Sequence, residues 1–158
     1  MIERLRRLWA LAIPALTGTL LAAALGMEHL LGLEPCPLCL MQRIWMIVAG
    51  LVCLAALLHR GGQRLYAGLG AFAGLVGGGF SIRHLYLQSL PEDQAPSCGP
   101  DLGYMFENFP LRDVLAAMTH GTGDCAKVEN LIDVLIPVGA LGGFIAIVLI
   151  CTLAILRR

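Results

Sequence analysis

Charged residues are scarce in this chain of 158 residues: they make up 14% of it, whereas soluble domains usually contain about a quarter. Hydrophobic residues account for 58% of the chain. The formal net charge at pH 7 is zero, and we expect no nucleic-acid partner. The composition therefore argues against an ordinary soluble domain and favours a protein of the lipid bilayer.

The sequence also lacks an internal repeat, a second domain, and a small-residue cleavage site after its first apolar run. Without such a site, the first run is expected to remain in place as a membrane helix instead of being removed as a signal peptide. We predict a single domain that covers 1–158.

Four apolar runs are long enough to cross a hydrocarbon layer of ~30 Å as helices rising ~1.5 Å per residue. These spans cover about 8–26, 37–58, 65–87 and 137–156, and they leave loops at about 27–36 and 88–136. The predicted fold class is an all-α membrane protein, a bundle of four transmembrane helices.

Positive charge is concentrated at three places: before the first span, between the second and third, and at the end of the chain. The arginines there are Arg4, Arg6, Arg7, Arg60, Arg64, Arg157 and Arg158. Because cytoplasmic loops of membrane proteins carry the excess of basic residues, both termini are predicted to be cytoplasmic. The two remaining loops then face the periplasm of a bacterium, where disulfides persist.

The long periplasmic loop contains two helical patterns. Apolar spacing over 111–120 predicts a short helix that stops at Gly121. After Cys125, apolar residues recur at helical intervals over 128–136, with polar residues opposite. This second pattern predicts a short interfacial helix lying on the membrane surface and hinged at Pro137.

Glycines recur every four residues in the third span, at Gly70, Gly74 and Gly78. Small residues at this spacing form a groove that allows two membrane helices to approach closely. Gly139 and Gly143 repeat the pattern in the fourth span, and we expect them to serve the same packing role.

Of the six cysteines, Cys53 and Cys151 lie deep in spans and are expected to be small buried apolar residues. The other four all map to the predicted periplasmic side: Cys36, Cys39, Cys98 and Cys125. Four cysteines in an oxidising compartment suggest disulfides, but they allow three pairings, and the spacing alone does not choose among them.

Cys36 and Cys39 stand at the start of the second span, with Pro37 at the first helical position, where its missing N–H costs little. A bridge across two intervening residues closes almost no loop and adds little stability, so it suits a redox couple better than a structural bond. The helix N-terminus would also stabilise a thiolate there.

Three polar side chains are predicted to lie at about the same depth in the membrane as Cys36 and Cys39, and they are candidate ligand contacts. Arg43 lies four residues after Cys39 on the same helical face, where it could lower the pKa of that thiol or polarise an oxygen of a bound electron acceptor. An intramembrane charge is a functional hypothesis, although a snorkelling arginine is the alternative. His84 and Gln88, four apart in the third span, could contact a small apolar ligand or be ordinary interfacial residues; Glu28 is a weaker candidate.

Taken together, the motifs resemble the DsbB family of disulfide-bond formation proteins. The resemblance rests on residues 35–39 followed by Arg43, on 83–88, on Cys98 and on 123–126, in this order within four spans. It covers nearly the whole chain. It implies an enzyme of the bacterial inner membrane that reoxidises a thioredoxin-fold oxidase, DsbA, and passes two electrons to a quinone, ubiquinone or alternatively menaquinone.

The resemblance also implies a role for each cysteine. Cys98 is the sulfur attacked by the partner protein, and Cys125 is its pair. Cys125 then exchanges with Cys36, and Cys39 faces the quinone. It further implies that the quinone is contacted by Arg43, with His84 and Gln88 as additional candidates, whereas Gln42 departs from some relatives, which have an acid there.

Three other interpretations of the cysteines remain open. A four-thiolate zinc site is possible, but the second pair has the wrong spacing, and no metal is expected. A scaffold with structural disulfides explains the loop pair but not the pair at the start of a span. A reductive thiol relay of the vitamin K epoxide reductase-like type is the third. Such proteins usually have the two cysteines at the start of a span after the loop cysteines in the sequence, whereas here Cys36 and Cys39 come first.

Overall fold

The computed structural model describes residues 2–32, 35–59, 61–91, 93–100, 102–128 and 130–156. The described residues form six α-helices and no strand. The helices are α1 (Ile2–Leu31), α2 (Pro37–Leu58), α3 (Gln63–Gln88), α4 (Leu102–Asn108), α5 (Leu111–His120) and α6 (Leu131–Leu156). A single 3-10 turn, Gly123–Cys125, lies between α5 and α6.

Four of these helices, α1, α2, α3 and α6, are long and apolar enough to cross a membrane. They pack in the ring order α1, α2, α3, α6, and α2 and α6 also touch across the ring. Large apolar side chains such as Leu51, Phe72, Leu75 and Leu149 point outward and are more than half exposed. An apolar exterior of this kind suits lipid, and the predicted all-α bundle of four spanning helices is confirmed.

Glycine allows α3 to lie directly against α6. A Cβ atom added to Gly74 would stand 2.9 Å from Val148 Cγ2, and one added to Gly78 would stand 3.7 Å from Phe144 Cβ. The predicted groove on α3 is therefore confirmed. In α6, Gly143 makes a similar approach, to Leu20 of α1, but nothing lies within 4 Å of a Cβ at Gly139, so that half of the prediction is wrong.

Cys53 and Cys151 lie next to each other in the core and are fully buried. The point where a Cβ of Gly70 would stand is 3.1 Å from the Cys53 sulfur and 3.0 Å from the Cys151 sulfur. A side chain at residue 70 would therefore displace both. The prediction that these two cysteines are small buried residues is confirmed.

The surface helix predicted after Cys125 is not a separate element. Its final residues, from Leu131 onward, form the first turns of α6, which continues through Pro137 without a break. Proline has no N–H for the carbonyl four residues earlier, that of Asp133. The side-chain nitrogen of Gln88 donates to this oxygen at 2.9 Å, which satisfies the freed acceptor and explains why the helix does not end there.

Helix α1 is also longer than its predicted span, because it runs on to Leu31 and shortens the first loop. It contains Pro14, and the hydroxyl of the buried Thr17 donates to the Pro14 carbonyl at 3.2 Å. A Cβ at Gly50 would stand 2.6 Å from the same Thr17 oxygen. The proline is thus accommodated where α1 and α2 approach closely.

The long loop folds back onto the end of the bundle that carries Cys36, which we call the loop end. Helix α5 has the predicted bounds, and its Val114 and Met118 form a small apolar cluster with Met105 against Leu40 and Met41 of α2. At the end of α5, Gly121 adopts a φ of 80°, which favours glycine. This turn returns the chain to the first turn of α2.

Candidate active site

Cys36 caps the N-terminus of α2. Its backbone is extended (φ −69°, ψ 163°), and its sulfur accepts a hydrogen bond from the backbone N–H of Cys39 at 3.4 Å. This geometry places the Cys36 and Cys39 sulfurs 2.9 Å apart. The sequence pattern of a cysteine cap followed by proline therefore leads to two thiols that face each other at the end of a membrane-spanning helix.

Cys125 lies against the same cap. It is almost fully buried with Leu38 and Leu87, and Cys36 packs against this group. Interaction with the Cys36 thiol lowers the pKa of Cys125 to about 6, and the backbone N–H groups of Leu38 and Thr122 act in the same direction, against the effect of burial. The same interaction raises the pKa of Cys36. Cys125 is therefore the thiolate of the pair at neutral pH.

A pH titration tests this assignment. In the reduced protein, half of Cys125 is expected to be thiolate near pH 6, whereas an unperturbed cysteine requires about 8.5. Cys36→Ala removes the main cause and should move the midpoint upward. The measurement is the ultraviolet absorbance of thiolate against pH, with Cys125→Ala as the blank. Equal midpoints with and without Cys36 would contradict the assignment.

Cys98 is the exposed member of the four. The segment before it is fastened to the turn that carries Cys125, because the N–H of Gly123 donates to the Ser97 carbonyl at 3.1 Å. A Cβ on Gly123 would stand 2.8 Å from the Cys98 nitrogen, so glycine permits this approach. Asp124 and, more weakly, Cys98 raise the pKa of Lys127, which places that ammonium group near the exposed thiol.

His84 of α3 is buried and lies beside Cys36 and Cys39, which we call the membrane-level pair. Its Nε2 atom is 3.8 Å from the Cys36 sulfur, and its Nδ1 atom is 4.0 Å from the Cys39 sulfur. The side chain of Gln42, also buried, approaches Nδ1 at 3.4 Å. One imidazole thus faces both sulfurs, and a second polar group fixes its orientation.

The side chain of Gln88 contacts both His84 and the backbone of α6. Its side-chain nitrogen lies 3.4 Å from His84 Nε2 and also donates to the Asp133 carbonyl. Because this nitrogen carries two hydrogens, it can serve both groups. Gln88 thereby links the histidine to the proline-containing turn of α6.

A cavity of about 170 Å³ opens beside Cys39, between α1, α2 and α6. Its walls are mostly apolar, as at Leu20, Met46 and Ala140, and they also include a few polar side chains. Arg43 lines this cavity with Cys39, whereas His84 and Gln88 lie outside its lining, on the side of α3. The three polar residues singled out in the sequence are therefore divided between two faces of the thiol pair.

Arg43 forms an ion pair that joins α2 to α1. Its Nη1 atom donates to Glu28 Oε2 of α1 at 2.5 Å, and the two side chains are 19% and 27% exposed. Glu28 and Gln42 both line the cavity. The sequence pattern alone gives little weight to Glu28 and Gln42 as site residues. The position of Gln42, three residues after Cys39, could have indicated that the two side chains lie on the same face of the helix.

Cys36, Cys39 and His84 also form a cluster of groups that bind soft metals, with ligand atoms within 4.8 Å of one another. Two thiolates on tetrahedral zinc lie roughly 3.8 Å apart, given a Zn–S bond of about 2.3 Å. The sulfurs here are 2.9 Å apart, a separation better suited to disulfide exchange. A buried histidine that faces both thiols agrees with that chemistry.

Two facing thiols beside an apolar cavity, a third cysteine packed against them and a fourth that is exposed define a membrane thiol–disulfide oxidoreductase. The profile of one family, described as "Disulfide bond formation protein DsbB", matches residues 5–154. The chain belongs to the DsbB family. Members of this family are membrane disulfide oxidases that reoxidise DsbA and use a quinone as electron acceptor.

Curated relatives carry the name Disulfide bond formation protein B. The chain is 45% identical to that of Stutzerimonas stutzeri over 88% of both chains, and 43% identical to that of Hahella chejuensis over 97% of this chain and 94% of the relative. It is 54% identical to that of Methylococcus capsulatus over 70% and 69%. No solved structure was found to match the chain.

Proposed function

We propose that this protein carries electrons from a DsbA-like thioredoxin-fold oxidase to ubiquinone, through Cys98 and Cys125 and then Cys36 and Cys39. The observation that supports this order best is the position of Cys36. Its sulfur lies 2.9 Å from that of Cys39, and Cys36 also packs against Cys125 and interacts with that thiol. A sulfur in contact with two others is suited to exchange its bond from one to the other.

The relay consists of three exchanges. A thiolate of the reduced partner attacks Cys98 of a Cys98–Cys125 disulfide, and Cys125 leaves as a thiolate. The backbone N–H groups of Leu38 and Thr122 lower the pKa of Cys125, which favours this departure and keeps the thiolate ready to attack Cys36. Attack at Cys36 breaks its bond to Cys39 and releases Cys39 beside the cavity, with His84 close by.

The cavity fits a quinone ring. Its volume, about 170 Å³, compares with roughly 150 Å³ for an apolar protein cavity that binds benzene. A quinone bound there would accept two electrons and two protons. Cys39 and Arg43 would hold its ring and an oxygen. Return of Cys36 to Cys39 restores the disulfide.

The direction of the relay follows from redox potentials. DsbA is a strong oxidant at roughly −120 mV, and each 30 mV of mismatch is worth about 1.4 kcal/mol for two electrons. A protein disulfide that oxidises it works near balance, so quinone reduction has to supply the drive. This explains a division of labour in which one pair meets a soluble protein and the other a lipid-soluble acceptor.

The proposed orientation places the loop end in the periplasm of a bacterial inner membrane. The arginine-rich termini and the α2–α3 connection then face the cytoplasm. The loop between α3 and α6 is rich in acidic residues, a charge bias suited to steering a partner. Cysteine labelling with a membrane-impermeant reagent tests this orientation, because Cys98 should react from the periplasmic side.

A reconstituted assay tests the function. Purified protein with a reduced DsbA-like partner and a short-chain ubiquinone should oxidise one partner for each quinone reduced, and Cys98→Ser should stop both. Cys53→Ala is the matched control, because that cysteine is buried away from the relay, and it should retain turnover. Zinc bound stoichiometrically to Cys36, Cys39 and His84, without turnover, would instead support a metal site.

A further inference from the structure

The ion pair between Glu28 and Arg43 joins two of the helices that line the cavity. Glu28 lies near the end of α1, and Arg43 lies in the second turn of α2. Both line the cavity that Cys39 also lines. A single contact between charged groups therefore fixes the only cationic side chain among the described residues that line the cavity.

Arg43 would be expected to leave this position without a partner. An arginine carries a long flexible stem, and within a membrane-spanning helix it tends to extend toward water at the interface. The side chain is only 19% exposed, so it is held in a position where an unpaired charge is costly. A carboxylate 2.5 Å away offsets that cost and gives the guanidinium a defined direction.

We propose that Glu28 is a positioning residue, which holds the Arg43 guanidinium at the cavity so that its other N–H groups are available to a quinone oxygen. Arg43 donates to Glu28 through Nη1, and guanidinium has five N–H donors in a rigid plane. Fixing one edge of the plane therefore directs the rest. The inference rests on the proposed function, because the quinone is the ligand that this site would take.

Kinetics of Glu28→Gln provide the first test. The amide keeps the shape but loses the charge, so Arg43 should be held less well. We expect the KM for a short-chain ubiquinone to rise by about tenfold, while kcat changes by less than about threefold, as for lost binding. Glu107→Gln, an exposed acid on α4, is the matched control and should behave as wild type. An unchanged KM for Glu28→Gln would overturn the inference.

A double-mutant cycle separates positioning from a general structural effect. If Glu28 acts through Arg43, Glu28→Gln should have no further effect on KM when Arg43 is already alanine. Additive effects of the two substitutions would overturn the inference. Glu28→Asp, which keeps the charge on a shorter stem, should fall between wild type and Glu28→Gln, and it serves as the test variant if Glu28→Gln does not fold.

A measurement without quinone distinguishes failure of this inference from failure of the proposed function. In the ligand-free protein, an aqueous arginine reagent should modify Arg43 several times faster in Glu28→Gln than in wild type, as read by mass spectrometry of the peptide. Equal rates would overturn the inference, even if the wild type reduces quinone. Faster modification in a protein that does not reduce quinone would reject the function alone.

Discussion

Replacing Cys39 with serine is expected to lower quinone turnover by at least about a thousandfold, as is common when a reacting nucleophile is removed. Serine cannot form a disulfide with Cys36, so the membrane-level pair can be neither oxidised nor reduced. The partner should still exchange with Cys98 and Cys125, which this substitution leaves in place. The measurement is quinone reduction under steady state, together with the amount of partner oxidised in a single turnover.

The single-turnover result is what makes this prediction specific. We expect Cys39→Ser protein prepared with an oxidised Cys98–Cys125 pair to oxidise about one equivalent of partner and then stop. Cys53→Ala should continue to turn over. Steady turnover by Cys39→Ser would mean that electrons reach the acceptor without the membrane-level pair, and the proposed order would be wrong.

The second large effect is on stability, at Gly77. A Cβ at this residue would stand 2.2 Å from two ring carbons of Phe144, which is fully buried between α3 and α6. Because the ring cannot move without repacking the core, Gly77→Ala should lower the free energy of unfolding by about 1–3 kcal/mol. The measurement is a denaturation curve in detergent, followed by helical circular dichroism.

Gly79 is the matched control, since it lies on the same helix but a Cβ there would have no neighbour within 4 Å. Gly79→Ala should preserve or slightly raise stability, because alanine favours helix by up to about 1 kcal/mol over glycine. Adding Phe144→Leu to Gly77→Ala should recover part of the loss. If the alanines at 77 and 79 have equal effects, the close contact of α3 with α6 is wrong.

Local patterns were sufficient for much of the fold and for the proximity of Cys36 to Cys39. Apolar length predicts the four spans, and helical spacing predicts α5, because each property is contained in a short segment. The position of Cys36 as a cap follows from the proline after it. By contrast, the continuity of α6 through Pro137 depends on the Gln88 side chain, which belongs to another helix and cannot be inferred from the segment itself.

The polar contacts around the cavity show the same limit. Glu28 and Arg43 are fifteen residues apart and belong to different helices, so their pairing depends on how α1 and α2 are aligned. The division of Arg43 from His84 and Gln88, on two sides of the thiol pair, likewise depends on helix rotation. Sequence spacing shows which side chains share one helix face, but it does not show which face meets the cavity.

The hydrogen bond between Ser97 and Gly123 limits how far the reactive thiol can travel. Cys98 is one residue from this anchor, and a chain extends at most about 3.5 Å per residue. Under the proposed function, an enzyme that reacts with Cys98 would therefore have to bring its own sulfur to the loop end of the bundle. The proposed orientation sets this end beside the outer surface of the membrane, so headgroup charge and ionic strength would then influence the encounter rate.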